Sequence, residues 1–390
     1  MNWAKAMRWG KCGDSGRIHH INYGVSLDIA LSTTRPLMND TVAPLSSDPR
    51  KSALANWVNL NTPDNWHPIE LHSLGSDAGF RRYFRFRQPS QWLAVDAPPA
   101  TEDSHQFLAI ADLLRSQGVH SPEILAADPQ QGFLLVEDMG DELLYRVANQ
   151  TNADALYRKA MDTLLQLHRC ADNPALIPRY DRALLRRELE IFSEWFAGKL
   201  LGYSPDETEQ QQLNQLFTRL EDNSLNQPQG FVHRDYHSRN LLVRKDDQLG
   251  VIDFQGALWG GVTYDLVSLL RDCYLRWPAD KVREWALYYR HRAIELQQLP
   301  PVSEAEFLRW FDWLGLQRHI KVLGIFARLY LRDNKPGYLQ DLPLVIRYTL
   351  EVANHYPELQ EFALWFAQKL LPIAQQQRWY SDYRIAGDRP

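Results

Sequence analysis

Cysteine is scarce in this chain of 390 residues, which contains only Cys12, Cys170 and Cys273 and no CxxC pair. An odd, scattered set of cysteines argues against a disulfide framework and favours a reducing compartment. The sequence also lacks any run of ~18 apolar residues and any charged-then-apolar leader, so it predicts neither a transmembrane helix nor a signal peptide. We therefore expect a cytoplasmic protein without a membrane partner.

A surplus of basic residues is missing as well. The chain has 43 Lys and Arg against 48 Asp and Glu, a formal net charge of −5. Nucleic-acid-binding domains are usually strongly basic, so this balance argues against a nucleic-acid partner. The sequence does not specify an oligomeric state.

The most informative stretch of the chain reads HRDYHSRNLL (233–242) and, after a polar turn, VIDFQG (251–256). Its two short apolar runs, separated by charged residues, predict a β-hairpin. Asp235 precedes the first run, Asn240 opens it, and Asp253 follows Asn240 by 13 residues (253 − 240). This order and spacing are typical of the catalytic loop and metal-binding hairpin of kinase-like phosphotransferases.

The chemistry of phosphoryl transfer explains why these residue types occur together. The reaction needs a positioned hydroxyl and cations that neutralise charge on the transferring group. Asp235 is the predicted acceptor of the hydroxyl proton. Asn240 and Asp253 offer the oxygen ligands that Mg²⁺ prefers.

This stretch resembles the aminoglycoside phosphotransferase and choline kinase superfamily, whose loop runs H-x-D-x-H-x-x-N, with His237 at the second histidine. More narrowly, the chain is similar to the anomeric sugar kinases that phosphorylate N-acetylmuramate and N-acetylglucosamine in bacterial cell-wall recycling. The segments that carry the resemblance are GSDAGFRRYFR (75–85), VDAPPATED (95–103), LLVEDMGD (134–141), HRDYHSRNLL (233–242), VIDFQGALWGGVTYDLVSLLRDCY (251–274) and QRHIKVLGIFARLYLRD (317–333).

The resemblance implies transfer of the γ-phosphoryl group of ATP, with Mg²⁺, to the anomeric hydroxyl of a small sugar. Two alternatives stay open: a kinase of another small alcohol, such as an aminoglycoside or choline, and a pseudokinase scaffold that binds nucleotide. No Ala-Pro-Glu triplet follows Asp253-Phe254. The segment that presents a protein substrate is therefore not visible, which favours a small-molecule acceptor.

The predicted fold is a two-lobe, protein-kinase-like α+β fold. Hydrophobic alternation predicts a small mixed sheet lobe at 64–136, and helical periodicity predicts a larger, mainly helical lobe at 137–374 that contains the catalytic hairpin. Residues 1–50 show no hydrophobic period. We expect them to be disordered, or to be an over-extended start of the gene with Met38 as the true first residue.

Nucleotide contacts are expected at two places in the small lobe. Gly75, Ser76 and Asp77 join the first two predicted strands where kinases carry a glycine loop over the phosphates, although a plain hairpin turn would look the same. The segment of Glu137 and Met139 lies at the expected hinge, where backbone groups pair with adenine. An ordinary interdomain loop is the alternative there.

Lysine is absent between Lys51 and Lys159, although kinases use a lysine on the third strand to hold the α- and β-phosphates. Asp96 stands about where that lysine is expected. Strand alternation groups Arg82 with the aromatic residues Phe80, Phe84 and Phe86. We expect this face to line the cleft and Arg82 to replace the lysine. Asp96 or Glu102 would orient the Arg82 side chain. The alternatives are that Arg82 reaches solvent or only pairs with Asp96.

Arg318 and Lys321, with Arg328 further on, fall roughly on one face of a predicted helix. They form either a solvated basic stripe or, by the resemblance, a clamp for the lactyl carboxylate of a muramic acid. Aromatic residues offer a possible sugar-stacking wall, with the protein core as their alternative: Trp259, Tyr264 and Trp313.

Three further residues around the catalytic loop have predicted supporting roles. Asp265 is expected to brace the loop, and Arg234 to anchor it. The His237 side chain is expected to hydrogen-bond the loop backbone.

Overall fold

Five short antiparallel strands form a sheet in the first third of the chain. The structure, a computed structural model, describes residues 48–66, 69–74, 80–86, 91–246 and 248–388. The strands follow the spatial order β1-β2-β3-β5-β4. They are β1 (Leu71–Ser73), β2 (Arg82–Phe86), β3 (Trp92–Asp96), β4 (Ile124–Asp128) and β5 (Phe133–Glu137).

Helix α1 (Pro49–Leu60) covers one face of this sheet. The Asp48 side chain caps α1 by accepting a hydrogen bond from the backbone N–H of Lys51, and Pro49 takes the first helical position, which suits its fixed φ. Residues 48–50 therefore belong to the folded part, which corrects the expected boundary at residue 50. The buried residues that α1 shares with the sheet include Leu54, Val58, Phe84, Phe86, Ala94 and Leu135.

Helix α2 (Ser104–Ser116) covers the opposite face of the sheet. It packs on Val95 and Val136, whose neighbours Ala94 and Leu135 face α1 instead. This division follows from the two-residue period of a strand. The second layer continues into the core of the helical lobe, so α2 and its sheet face lie towards the rest of the molecule.

The helical lobe contains most of the remaining elements. Its strands form two separate pairs, β6 with β9 and β7 with β8. The strands are β6 (Gln229–Val232), β7 (Leu241–Val243), β8 (Leu249–Val251) and β9 (Leu258–Gly261). The helices are α3 (Leu144–Val147), α4 (Ala153–Leu167), α5 (Arg182–Ile191), α6 (Glu207–Asn226), α7 (Tyr264–Leu270), α8 (Ala279–Glu295), α9 (Glu304–Leu331), α10 (Leu342–His355), α11 (Gln360–Trp365) and α12 (Leu371–Ala374).

Helix α9 is the long central helix of this lobe and replaces two helices that the sequence predicts at 303–314 and 317–332. Gly315 lies inside it, where a side chain would come within 3.3 Å of Arg271 and Val267. The glycine therefore permits a close approach to α7 rather than ending the helix. A π-helical segment, Phe192–Leu200, continues α5 and packs against α9.

Asp206 caps α6, in a reciprocal capping box with Glu209.

The predicted helical lobe ends at residue 374, but the described residues that follow also pack on α10, where Arg347 donates a 2.8 Å hydrogen bond to the Ala386 carbonyl. Among the described helices, no segment combines the length and apolar character needed to cross a lipid bilayer.

Candidate active site

The predicted β-hairpin is confirmed, while its catalytic role stays a prediction. Strands β7 and β8 pair antiparallel with Leu241 opposite Val251. The backbone N–H of Ile252 donates a 3.1 Å hydrogen bond to the Asn240 carbonyl. Asn240 and Asp253 therefore lie at the same end of the hairpin, although 13 positions separate them (253 − 240).

Two residues of this site have left-handed backbone conformations that are uncommon outside glycine. The φ angles are +76° at Arg234 and +64° at Asp253. Such conformations cost free energy and persist only where the surroundings hold them, most often at functional sites. They indicate a backbone shaped for the placement of side chains rather than for minimum strain.

Asp265 at the start of α7 holds the first of these strained positions. Its carboxylate accepts hydrogen bonds from the backbone N–H groups of His233, at 2.6 Å, and Arg234, at 3.0 Å. Burial raises the pKa of Asp265 to about 7, against the lowering effect of these two donors. The predicted bracing role of Asp265 is confirmed.

The Asp235 side chain lies exposed at the turn between β6 and β7. Its backbone carbonyl accepts a 3.0 Å hydrogen bond from Asn240 Nδ2. Desolvation raises the pKa of Asp235, but nearby positive charge lowers it overall. The residues that supply this charge are His237, Lys321, Arg234 and Arg318. The arrangement favours an ionised carboxylate, which is the form that accepts a proton.

Glu188 on α5 joins the catalytic loop to α9. Its carboxylate accepts a 2.5 Å hydrogen bond from Arg234 Nη2 and lies 2.9 Å from Lys321 Nζ. Tyr180 also donates to Glu188, and Tyr264 accepts a 3.1 Å hydrogen bond from Lys321. These contacts confirm that Arg234 anchors the loop. No local sequence pattern identifies Glu188, because its partners come from three separate parts of the chain.

Arg318 and Lys321 do not form a solvated stripe, since their exposed fractions are 4% and 6%. The two cations differ in their partners. Lys321 pairs with Glu188, whereas Arg318 Nη1 contacts only the neutral Cys273 Sγ, at 3.4 Å. Within the described residues no carboxylate pairs with Arg318. Arg318 is therefore a buried guanidinium near Asp235 that has no carboxylate in direct contact among the described residues.

The His237 side chain makes no hydrogen bond to the loop backbone among the described residues, which corrects the expectation. Its Nδ1 is buried without a partner, and its ring lies edge-on to Tyr274 with centroids 5.3 Å apart. The guanidinium of Arg239 lies over the same Tyr274 ring, at 3.6 Å. Tyr274 therefore packs against two residues of the loop that carries Asp235.

The predicted sugar-stacking wall is mostly core. Tyr264 and Trp313 are 1% and 4% exposed, and the half-buried Trp259 lies beneath the Arg179 guanidinium. Tyr264 packs on Tyr180, with ring centroids 5.5 Å apart. Tyr264 and Trp313 are therefore closed to a sugar face, and Trp259 is already stacked.

The hinge segment after β5 is fixed by ion pairs that span the lobes. Glu137 lies 2.8 Å from Arg244 on the catalytic hairpin, and Asp138 lies 2.5 Å from Arg85 on β2. The Met139 side chain is buried against Gly250, where a Cβ atom would come within 2.3 Å of its methyl group. These side chains are engaged within the protein. The predicted glycine loop at Gly75, Ser76 and Asp77 lies outside the described residues.

The predicted facing of β2 is wrong. Phe84 and Phe86 pack under α1, and Arg82 on the same face lies 2.5 Å from Asp96 and also pairs with Asp48. The aromatic face is the one that α1 covers. The opposite face, which carries Tyr83, packs towards the core that contains α2.

Asn240 and Asp253 fit a Mg²⁺ ion that also binds phosphates. Asp253 Oδ1 accepts a 2.6 Å hydrogen bond from Gln255, which fixes the carboxylate. In the described part of the chain, no group of three or more His, Cys, Asp or Glu side chains could hold a metal on its own. Mg²⁺ at phosphate-transfer sites commonly takes one or two protein carboxylates together with phosphate oxygens and water, so a sparse set of protein ligands is expected.

A small sheet lobe, a braced hinge and a catalytic loop followed by a hairpin define a two-lobe, protein-kinase-like phosphotransferase. The model of the phosphotransferase enzyme family (APH) matches residues 70–305. This match spans more than half of the chain, and the chain belongs to that family.

Curated relatives and solved structures agree with this assignment. An N-acetylmuramate/N-acetylglucosamine kinase of Pseudomonas aeruginosa is 40% identical over 326 residues, covering 81% of this chain and 96% of the relative. A kinase of the same name from Neisseria meningitidis is 36% identical over 316 residues, covering 80% and 93%.

The fold is shared with more distant kinases. An ethanolamine kinase of Plasmodium vivax superposes with a TM-score of 0.57 at 12% identity, covering 80% of this chain and 89% of its own. A choline kinase of Streptococcus pneumoniae gives 0.54 at 13% identity, covering 80% and 99%.

Proposed function

We propose that this protein is an ATP-dependent kinase of N-acetylmuramate and N-acetylglucosamine that transfers the γ-phosphoryl group to the anomeric hydroxyl. The observation that carries the proposal is the exposed, charge-stabilised Asp235 in a strained loop beside Asn240 and Asp253. The acceptor is taken from the names of relatives that this chain covers almost completely, 96% in one case. Because ATP is the proposed donor, we also propose that the reaction takes place in the cytoplasm.

Each residue of the loop and hairpin has a distinct role in this proposal. Asp235 accepts the proton of the attacking hydroxyl as that oxygen bonds to the γ-phosphorus and the bond from the γ-phosphorus to ADP breaks. Asn240 and Asp253 would hold Mg²⁺, which would supply positive charge to neutralise the phosphate oxygens. Glu188 and Asp265 keep the loop in place through Arg234 and the backbone.

Nucleotide binding is assigned to the small lobe and the hinge. Gly75, Ser76 and Asp77 would cover the phosphates. Because the Glu137 side chain is already paired with Arg244 and that of Met139 is packed against Gly250, adenine would pair with backbone groups of this segment.

Arg318 is the stronger candidate for the carboxylate of N-acetylmuramate. Lys321 is already paired with Glu188, so its charge is largely neutralised inside the protein. The Arg318 guanidinium is buried and close enough to Asp235 to lower the pKa of that carboxyl, and its one hydrogen bond among the described residues is to the neutral thiol of Cys273. A planar carboxylate suits the two-donor edge of an arginine.

A substrate screen tests the proposal directly. Purified protein with Mg²⁺ and ATP is offered N-acetylmuramate, N-acetylglucosamine, glucose, an aminoglycoside and choline, and ADP release is followed. Turnover should be confined to the N-acetylated amino sugars, with phosphate on the anomeric oxygen by NMR. Preferential turnover of choline or the aminoglycoside would overturn the acceptor assignment, and ATP binding without turnover of any acceptor would favour a scaffold.

A further inference from the structure

Arg81 is the most unusual charged residue of the small lobe. Only 6% of the residue is exposed. Its Nε lies 3.1 Å from the Glu102 carboxylate. Apart from this ion pair, its two terminal nitrogens, Nη1 and Nη2, have no hydrogen-bond partner within the described residues. A buried guanidinium with unused donors carries a free-energy cost that a bound anion would remove.

The surroundings connect Arg81 with the catalytic hairpin. Its guanidinium carbon lies 4.6 Å from the centre of the Phe107 ring on α2. That ring stacks on Phe254, with centroids 5.0 Å apart. Phe254 directly follows Asp253. The neighbouring Tyr83 hydroxyl lies near both Arg81 and Asp253. Desolvation raises the pKa of Tyr83, the positive charge of Arg81 opposes this rise, and the negative charge of Asp253 adds to it.

Arg81 lies next to the C-terminal end of β3. Arg82 lies opposite Asp96 in the antiparallel pairing of β2 and β3, so Arg81 precedes that pair and lies on the other face. Glu102 comes just before α2, the helix that follows β3. In kinases a lysine on the third strand and a glutamate on the next helix form the ion pair that holds the α- and β-phosphates.

We propose that Arg81, oriented by Glu102, binds the α- and β-phosphates of a nucleoside triphosphate in place of the lysine that this chain lacks. The inference rests on the proposed function only in taking a nucleoside triphosphate as phosphoryl donor. Arg82 is unsuited to this role, because α1 covers its face and two carboxylates already occupy it. The planar guanidinium also matches paired phosphate oxygens.

The test compares phosphate-bearing and phosphate-free ligands by calorimetry. Wild type, Arg81→Met and Arg81→Lys are titrated with ADP, Mg·ATP and adenosine. Loss of charge-assisted hydrogen bonds should weaken ADP and Mg·ATP binding ~10–100-fold in Arg81→Met. Adenosine affinity should stay the same, and Arg81→Lys should recover part of the loss.

Two other variants separate the inference from a general structural effect. Arg276→Met removes another arginine with little exposure, whose side chain is 9% exposed and paired with Glu351 far along the chain, and should leave the ratio of ADP to adenosine affinity unchanged. Glu102→Gln keeps the guanidinium but frees its orientation, so it should weaken ADP selectively by several-fold. If Arg81→Met fails to fold, the Glu102→Gln variant tests the inference in its place.

Equal losses for ADP and adenosine in Arg81→Met, or no loss in both Arg81→Met and Glu102→Gln, would overturn the inference. A selective loss of phosphate binding in Arg82→Met would restore the assignment to Arg82. Because these are binding measurements, their outcome does not depend on sugar turnover. A wild type that binds ADP but phosphorylates no amino sugar would contradict the proposed function and leave the role of Arg81 intact.

Discussion

Asp235 is set apart from the other carboxylates of the site by its surroundings. Asp265 is buried with a raised pKa, and Asp253 is hydrogen-bonded by Gln255. Asp235 is exposed, and nearby positive charge lowers its pKa. The site therefore offers an ionised carboxylate where a hydroxyl can approach, as a general base requires.

Asp235→Asn should lower kcat by ~10²–10⁴-fold, because an amide cannot accept the hydroxyl proton. The backbone carbonyl that Asn240 contacts is unaffected by the change, so Mg·ATP affinity should remain within about two-fold of wild type by calorimetry. Asp253→Ala is the contrasting variant, because loss of the metal ligand should weaken Mg·ATP binding itself. An unchanged kcat in Asp235→Asn would remove Asp235 from the mechanism.

Arg318 and Lys321 are expected to respond differently to substitution. Arg318→Met should raise KM for N-acetylmuramate at least ~10-fold more than KM for N-acetylglucosamine, which lacks the lactyl carboxylate. Lys321→Met should affect both sugars alike, because it breaks the pair with Glu188 and loosens the catalytic loop. Steady-state kinetics with both sugars measure this split. Equal effects of Arg318→Met on the two KM values would show that Arg318 does not bind the lactyl carboxylate.

Several of these residues were accessible from the sequence and others were not. The hairpin ligands followed from local spacing, because a short turn brings Asn240 and Asp253 together wherever the hairpin forms. The sequence did not predict which face of β2 lines the cleft. Alternation divides the side chains of β2 between two faces but does not say which face a helix covers, and the covering helix α1 lies before the sheet in sequence. Glu188 left no signal, because its function comes from tertiary contacts alone.

At the scale of elements, the approach between α9 and the end of α5 fixes the catalytic loop. Gly324 faces the α5 backbone, where an added Cβ atom would lie 2.5 Å from the Ile191 carbonyl carbon and 2.6 Å from the Phe192 nitrogen. Backbone atoms cannot move aside as a flexible side chain would. The glycine therefore sets the separation at which Lys321 on α9 meets Glu188 on α5.

Gly324→Ala should destabilise the protein by about 1–3 kcal/mol, as overpacking typically does, and should also lower kcat because the loop anchor shifts. Urea unfolding and steady-state turnover measure the two effects. Gly337→Ala is the matched control, since nothing lies within 4 Å of its added Cβ atom. Comparable stability of the two variants would mean that α9 can move away from α5 without cost.

His168 joins three elements and responds to pH. It follows the last turn of α4, its Nδ1 is hydrogen-bonded to the Tyr289 hydroxyl of α8 at 2.8 Å, and its ring lies 3.7 Å from the Cβ position of Gly230 on β6. Its Nε2 is buried and has no hydrogen-bond partner in the described part of the chain. Desolvation lowers the pKa of His168 to about 4, so the folded protein keeps this ring neutral.

A lowered pKa in the folded state means that the unfolded chain binds a proton first as pH falls below the ordinary histidine value of about 6.5. His168 should therefore reduce the free energy of unfolding by about 2 kcal/mol at pH 5, relative to pH 7.5. His168→Gln loses the Tyr289 contact at every pH but should show a shallower fall in stability between these two values. Parallel pH profiles of urea unfolding for the two proteins would show that His168 does not titrate this way.

At the scale of the whole molecule, the sequence predicted the two-lobe fold class and the family, and the structure and comparisons confirm both. Strands β3 and β5 lie in the segment that the sequence assigned to the sheet lobe, because each is a compact apolar run between turn residues. The continuity of α9 and the packing of the C-terminal segment were missed. Both depend on contacts between distant segments, which a local periodicity does not contain.

Residues 48–50, which the sequence assigned to a disordered segment, belong to α1 and its cap and neutralise buried charge. Asp48 caps α1 and pairs with Arg82. Arg50 lies 2.5 Å from Asp96, whose side chain is fully buried. Without Arg50, Asp96 would keep Arg82 as its partner. Without Asp48, Arg82 would lose one of its two carboxylate partners.

A chain that begins at Met38 retains every one of these contacts and should match the full chain in Tm and in turnover. A chain that begins at Ser52 loses the helix cap and the Arg50 pair, so it should be less stable by at least about 1 kcal/mol. Scanning calorimetry of the three chains measures the difference in stability. The Asp48→Ala variant of the full chain measures how much of that difference comes from loss of the Asp48 side chain. A Met38 chain that melts well below the full chain, or loses activity, would show that residues 1–37 contribute to the native protein. Equal stability of the Ser52 chain would mean that Arg82 alone suffices to neutralise Asp96.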